Sequence, residues 1–225
     1  MDKEKNMAET KEITVYPYTE LPAQGKANAL IQYNQPEEYW YEGIKESFEE
    51  KGQERGFDID DVQWSGFGSQ GDGASWTGRV NLIPFLTYHL KIEDPDYARY
   101  TTLIELIDND FVDAYVNIYR DSHRYNHEMT MMIEDDRANH GMWDKETMTR
   151  GILEGALVID LTDSIDADDR LLPMLDEWVI DEARRYAKEI YKSFEESYDS
   201  YSSEEYFIEI CAVNEWRFDA KGNLV

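Results

Sequence analysis

DDRLLPMLDEWVIDEARRYAKEIYKSFEESY, residues 168–198, decides what kind of molecule this is. Leu172, Leu175, Val179, Ala183, Tyr186, Ile190 and Phe194 recur at steps of three and four, the spacing that puts them on one side of an α-helix. Asp168 and Asp169 read as N-caps, and Pro173 falls in a first turn, where its missing N–H does no harm. The pattern predicts one long amphipathic helix running to about Tyr198, which must lie on something apolar. The other side is rich in carboxylates: Asp166, Asp168, Asp169, Asp176, Glu177, Asp181, Glu182, Glu189, Glu195, Glu196 and Asp199.

Outward from this helix the periods change. On its C-terminal side, Asn214 to Phe218 reads as a last strand ending in a turn over Asp219–Asn223. On its N-terminal side, Gly151 to Leu161 reads as an apolar helix. Val112–Tyr119 and His127–Ile133 read as an antiparallel hairpin around the polar stretch Arg120–Asn126, with a helix before it marked by Tyr97, Tyr100, Ile104 and Ile107. Phe57–Phe67 and Ala74–Val80 are strand-like and joined by the glycine-rich segment Gly66–Gly73. An amphipathic helix is expected from Pro36 to about Gly52, with Trp40, Ile44 and Phe48 inward and Glu37, Glu38, Glu42, Glu46 and Glu49 outward. A helix over Leu21–Tyr33 and a short β-prone run at Ile13–Pro17 complete the series. Runs of strands and helices without repeats or long linkers predict an α+β fold: an antiparallel sheet with packed helices, one of them long and acidic. Residues 13–225 read as a single domain and residues 1–12 as a flexible, charged lead-in.

Charge is the second signal. The chain holds 49 acidic and 22 basic side chains among 225 residues, a formal charge of −27. Within residues 154–209 there are 17 acids against 5 bases, so the excess gathers around the long helix. Such a chain is repelled by nucleic acid and by anionic membrane surfaces, and direct phosphate contact is not expected. No segment has the apolar length of a membrane span, and the N-terminal residues MDKEKNMAETKE lack the apolar core of a secretory leader. Cys211 is the single cysteine, so no internal disulfide can form. A cytoplasmic setting follows as the expectation.

Catalytic and metal motifs are weak. The 66–73 loop lacks the Lys-Ser/Thr and following helix of a phosphate-binding loop, and the setting of a nucleophile elbow around Ser69. Its glycines suit a tight connection with Asp72 bonded to backbone, and Ser69, Gln70 and Asp72 are the side chains it could offer a ligand or partner. His123, His127 and Glu128 have zinc-like spacing, but a hairpin turn does not bring the two histidines onto one helix face, and they read as surface residues. The run Asp163, Asp166, Asp168, Asp169 lacks the glycine and distal glutamate of a calcium loop. Neither a metal, a cofactor nor an enzyme activity is expected. Tyr191, Tyr198, Tyr201 and Tyr206 read as rings roofing the core.

The stretch WSGFGSQGDGASWTG, residues 64–78, resembles an "SGFxSQGDGAxFxG" signature of phage and prophage proteins, some of them labelled antitoxin-like. The closing Asn214-Glu215-Trp216-Arg217-Phe218 with Gly222 is similar to that family's "ANEYxFxxxG". The resemblance implies a phage or mobile-element origin. Joined to the charge, it leads to an expected function: a phage-encoded acidic inhibitor or decoy, in the manner of a DNA mimic, whose acidic helix face engages a basic host defence or nucleic-acid-binding protein. The alternative is an antitoxin-like protein that neutralises one toxin by complementary shape.

Overall fold

The computed structural model describes residues 12–36, 39–95, 97–98, 100–101, 104, 115–122, 124–134 and 165–225, with side chains of the last segment from 174 onward. The expected lead-in over residues 1–11, the helix at 151–161, and the residues Ile107, 112–114, His123 and Asp163 lie outside the described residues, as do the side chains of Asp166, Asp168, Asp169 and Leu172. The α+β expectation holds. Four strands, β1 (Phe57–Trp64), β2 (Ala74–Asn81), β3 (Tyr115–Arg120) and β4 (Met131–Ile133), form one antiparallel sheet in chain order. Among the described residues five helices have defined bounds, α1 (Ala23–Tyr33), α2 (Glu42–Glu54), α3 (Leu82–His89), α4 (Ile165–Tyr201) and α5 (Glu204–Val213), and Tyr97, Ala98, Tyr100, Thr101 and Ile104 are helical as well. The chain divides into two compact units, one of residues 41–195 and one of 1–40 with 196–225.

In the central unit α4 does what its stripe demands. Leu175, Val179, Ala183, Tyr186, Ile190 and Phe194 are all fully buried. Each large apolar side chain so buried contributes about 1.5–3 kcal/mol, several times what a surface ion pair supplies, so the stripe and not the charges seats this helix. Phe57 of β1 and Trp76 of β2 meet it: the Phe57 ring lies 5.2 Å from Tyr186 and 5.3 Å from Trp76. Trp76 Nε1 donates to the Ala183 carbonyl at 3.2 Å, and the Tyr186 hydroxyl donates to the Phe48 carbonyl of α2 at 2.6 Å. Burial pushes the Tyr186 phenol up to about 12, so it remains a donor at any ordinary pH.

The terminal unit joins sequence extremes. Tyr16 pairs with Phe218 in an isolated antiparallel bridge, and Tyr18, Leu21, Ala29, Phe207, Cys211 and Phe218 form its buried cluster. Tyr18 stacks edge-on against Phe207 at 4.9 Å and donates its hydroxyl to Glu204 at 2.8 Å. Cys211 is one more apolar group here, its thiol pushed up to about 11 by burial.

Several local expectations are corrected. α2 starts at Glu42 rather than Pro36, because Tyr41 belongs to a turn and packs its ring on Trp64 and Phe194. α4 is helical from Ile165, so Asp168 and Asp169 lie inside it rather than ahead of it, and Pro173 is its ninth residue rather than part of its first turn. Cap preferences count for only about 1 kcal/mol and do not fix a boundary alone. His127–Thr130 is not strand: Glu128–Thr130 is a 3-10 turn, and β4 begins at Met131. The strand expected over Asn214–Phe218 shrinks to bridges at Phe218, behind a helix, α5, that the reading did not contain. Helix α3 was likewise unassigned; its eight residues LIPFLTYH show no polar stripe to give a period.

Candidate functional site

The glycine-rich loop is a built object. Its base is closed by Ser65, whose N–H donates to the Gly73 carbonyl at 3.0 Å while its hydroxyl accepts from the Gly73 N–H at 3.2 Å. Inside, Gly68 and Gly71 take positive φ, the Asp72 N–H donates to the Ser69 carbonyl at 3.1 Å, and the Asp72 carboxylate accepts from the Ser69 N–H at 2.6 Å. The loop is tied to α4 by the Tyr191 hydroxyl, which donates to the Gly66 carbonyl at 3.1 Å, and by Phe67 against the same ring at 5.5 Å. Burial, together with the Asp72 and Glu195 carboxylates, pushes the Tyr191 phenol above its usual value and keeps it a donor.

Facing the loop is the connection between β3 and β4. The Arg120 guanidinium donates to Gln63 of β1 and, at 2.8 Å, to Asn126, whose own amide donates to the Trp64 carbonyl at 3.3 Å. Ser122 accepts from the N–H groups of Arg124 and Tyr125, and His127 Nδ1 accepts from the Met129 N–H, each at 3.1 Å. The loop abuts this connection at Gly73, where a Cβ would stand 2.5 Å from that of His127. Between the two segments opens a groove of about 650 Å³, lined by Gln70, Gly71, Asp72, Tyr125, Glu128 and Met129 together with His127. Of the three expected loop residues, Asp72 serves the backbone while lining the groove, Gln70 lines it, and Ser69 is exposed beside it.

A second cavity of about 300 Å³ lies among His89, Leu90, Lys91, Asp94, Pro95, Tyr100 and Trp178. His89 packs on Phe85 at 4.6 Å, and its Nε2 is buried without a hydrogen-bond partner among the described residues. Nδ1 is 3.8 Å from Glu182. Burial lowers the imidazole's pKa against the pull of Glu182, so the ring is neutral near pH 7.

The acidic residues are distributed less simply than their count implied. Along the described part of α4, Glu177, Asp181, Glu195, Glu196 and Asp199 are exposed, Asp176 is half-buried, and the exposed cations Arg185, Lys188 and Lys192 stand among them. Glu182 pairs with Arg185 at 2.5 Å and Glu189 with Arg55 at 2.9 Å, while Lys188 reaches Glu128 at 3.3 Å. α2 is different. Glu42, Glu46, Glu50 and Glu54 follow one another at steps of four, all exposed, and none has a cation at ion-pair distance among the described residues. Glu49 beside them lies 3.9 Å from Lys45, which is nearer to Asp61 at 3.2 Å. The sequence pattern had outlined the wet side of α2, but the uneven pairing of the two helices depends on which cations fold back onto them.

His127 spends one ring nitrogen on a turn, and no group of three metal-ligating side chains occurs among the described residues. No helix among them is long and apolar enough to cross a membrane. Comparison with curated proteins and with solved structures gives no match. Residues 40–204, which contain the sheet, the groove and the described part of α4 to its end, match DUF8835, a domain of unknown function, and the chain belongs to that family.

Proposed function

We propose that this chain is an acidic inhibitor that acts in the cytoplasm by occupying the cationic, nucleic-acid-binding surface of another protein. The observation that carries this reading is the unpaired glutamate row on α2. Like charges at i, i+4 each cost a helix about 0.2–0.5 kcal/mol, so three successive pairs cost about 1 kcal/mol, and no cation stands at ion-pair distance among the described residues to offset it. Such a row makes sense as a surface kept for an external cation. Its density also narrows the comparison with DNA. Glu42 to Glu54 spans about 18 Å of helix axis, so the four carboxylates of the row stand about 6 Å apart, sparser than the one charge per 3.4 Å of a single strand and far sparser than the 1.7 Å of a duplex. The phage-like signature of residues 64–78 supports a host protein as the counterpart.

The test is capture of basic proteins from a bacterial lysate at about 0.05 and 0.5 M salt, by the native chain and by a variant with glutamine at positions 42, 46, 50 and 54. Capture should fall at least tenfold at the higher salt and in the variant, and a DNA oligonucleotide should displace what is captured. The variant should be no less stable than the native chain, since it relieves repulsion. Direct binding of the chain to DNA would end the proposal. Capture indifferent to both salt and variant would transfer support to the antitoxin-like reading, in which shape and apolar contact dominate.

A further inference from the structure

The geometry points to the groove between the 66–73 loop and the β3–β4 connection as a receptor for an arginine-bearing segment of the partner protein. This rests on the reading of the chain as a binder of cationic proteins and assigns it a second, structured contact. Two carboxylates, Asp72 and Glu128, line the groove, and among the described residues no lysine or arginine does, although Lys188 and Arg124 stand against its lining. Asp72 holds the loop through one oxygen, which fixes the carboxylate in place without removing its charge. Glu128 is met at 3.3 Å by Lys188, a side chain 63% exposed that a more closely held guanidinium can replace. Tyr125 is 47% exposed, and the neighbouring Arg124 guanidinium already lies 5.7 Å from its ring centroid, so an incoming guanidinium stacks on this ring by taking the place of Arg124. Met129, 57% exposed, adds an adaptable apolar wall for the residue next to the arginine.

The volume of about 650 Å³ falls within the usual range of roughly 300–1,000 Å³ for ligand clefts, enough for more than one side chain of a peptide. Both walls are braced by hydrogen bonds. The loop is closed at Ser65–Gly73 and pinned to α4, and the opposite segment is tied to β1 through Arg120 and Asn126. A groove already in its binding shape loses little ordering entropy when occupied. The apolar and cation-accepting groups therefore sit where a planar cation can slide between two carboxylates and over a ring.

The experiment titrates the full chain at low salt with a short alternating Arg-Gly peptide, and separately with its Glu-Gly counterpart, following backbone amide shifts by NMR. Saturable shifts at residues 70–72 and 125–129 are expected with Arg-Gly alone. Gln70→Lys, at an exposed side chain, and Glu128→Gln should each weaken binding at the groove about tenfold, the scale of one charge-assisted contact; Glu209→Gln, at an exposed side chain outside both the groove and α2, should leave it within about twofold, and Glu46→Gln with Glu50→Gln removes charge from α2 for comparison. If the α2 substitutions weaken binding while Gln70→Lys does not, the groove is not the receptor, although the cationic-partner reading stands. Absence of saturable shifts anywhere would remove both. Equal shifts with the two peptides, or concentration-dependent shifts at the groove without peptide, would also overturn the inference, the latter by giving the groove to a second copy of the chain.

Discussion

His89 shows how one side chain can carry a pH response in a protein crowded with carboxylates. Its ring is enclosed by Phe57, Phe85, Tyr88 and Trp178, with Glu182 the nearest charge and Arg55, Arg185 and Glu189 beyond it. The folded ring titrates below its ordinary value, chiefly because burial penalises the cation. The unfolded chain then binds the proton more readily, so stability rises with pH through the window. The contribution is whole above about pH 6.5, the ordinary histidine value, and is lost as pH falls from there through the lower folded value. His89→Phe should remove that slope. Urea midpoints at a series of pH values for the two proteins, taken as differences so that the carboxylates cancel, decide the matter. Parallel curves would show that the ring protonates without cost. Nothing in the sequence distinguished this histidine, since Phe57 and Trp178, which close over it, come from segments far away along the chain.

At the scale of elements, the seating of α1 on the C-terminal turn is the tightest fit in the terminal unit. Gly222 has φ +89, and a Cβ there would stand 2.2 Å from the Gly25 carbonyl oxygen. Asn28 of α1 donates to the Lys221 carbonyl at 3.0 Å, and Asp219 holds the turn by accepting from the N–H groups of Lys221 and Asn223. Gly222→Ala combines a left-handed conformation costing about 1–2 kcal/mol with a clash against backbone, and should lower stability by about 2–4 kcal/mol in denaturant unfolding. A loss under about 0.5 kcal/mol would mean that α1 shifts freely. The turn over 219–223 and helix α1 were both legible in the sequence, because each is a local signal: Asp and Gly at fixed offsets, and a three-four period. Their contact was not, because nearly two hundred residues separate them. The same distinction explains the long helix, whose buried stripe read correctly from Leu175 to Phe194 while its start did not. It also explains the candidate site. The loop and its Asp72 turn could be read directly, but the groove requires the β3–β4 connection, whose meeting with the loop depends on strand register and on the tie of Arg120 across β2 to Gln63 of β1.

For the molecule as a whole, the excess of charge works against compactness. With 49 acids and 22 bases, self-repulsion opposes folding, and exposed ion pairs such as Arg79 with Asp58 are worth little against it. Added sodium chloride should therefore stabilise: a rise in Tm of about 3–8 °C is expected between about 0.02 and 0.5 M, measured by calorimetry. A falling Tm would show that attraction between opposite charges outweighs the general repulsion. A different consequence follows from the bridge between Tyr16 and Phe218. During translation, residues 16–33 leave the ribosome long before residues 203–222 exist, and their apolar side chains must wait in solution for about two hundred codons at roughly 5–20 residues per second. This earliest segment is then among the last to fold, and a nascent chain halted short of residue 218 should offer that segment to chaperones and proteases.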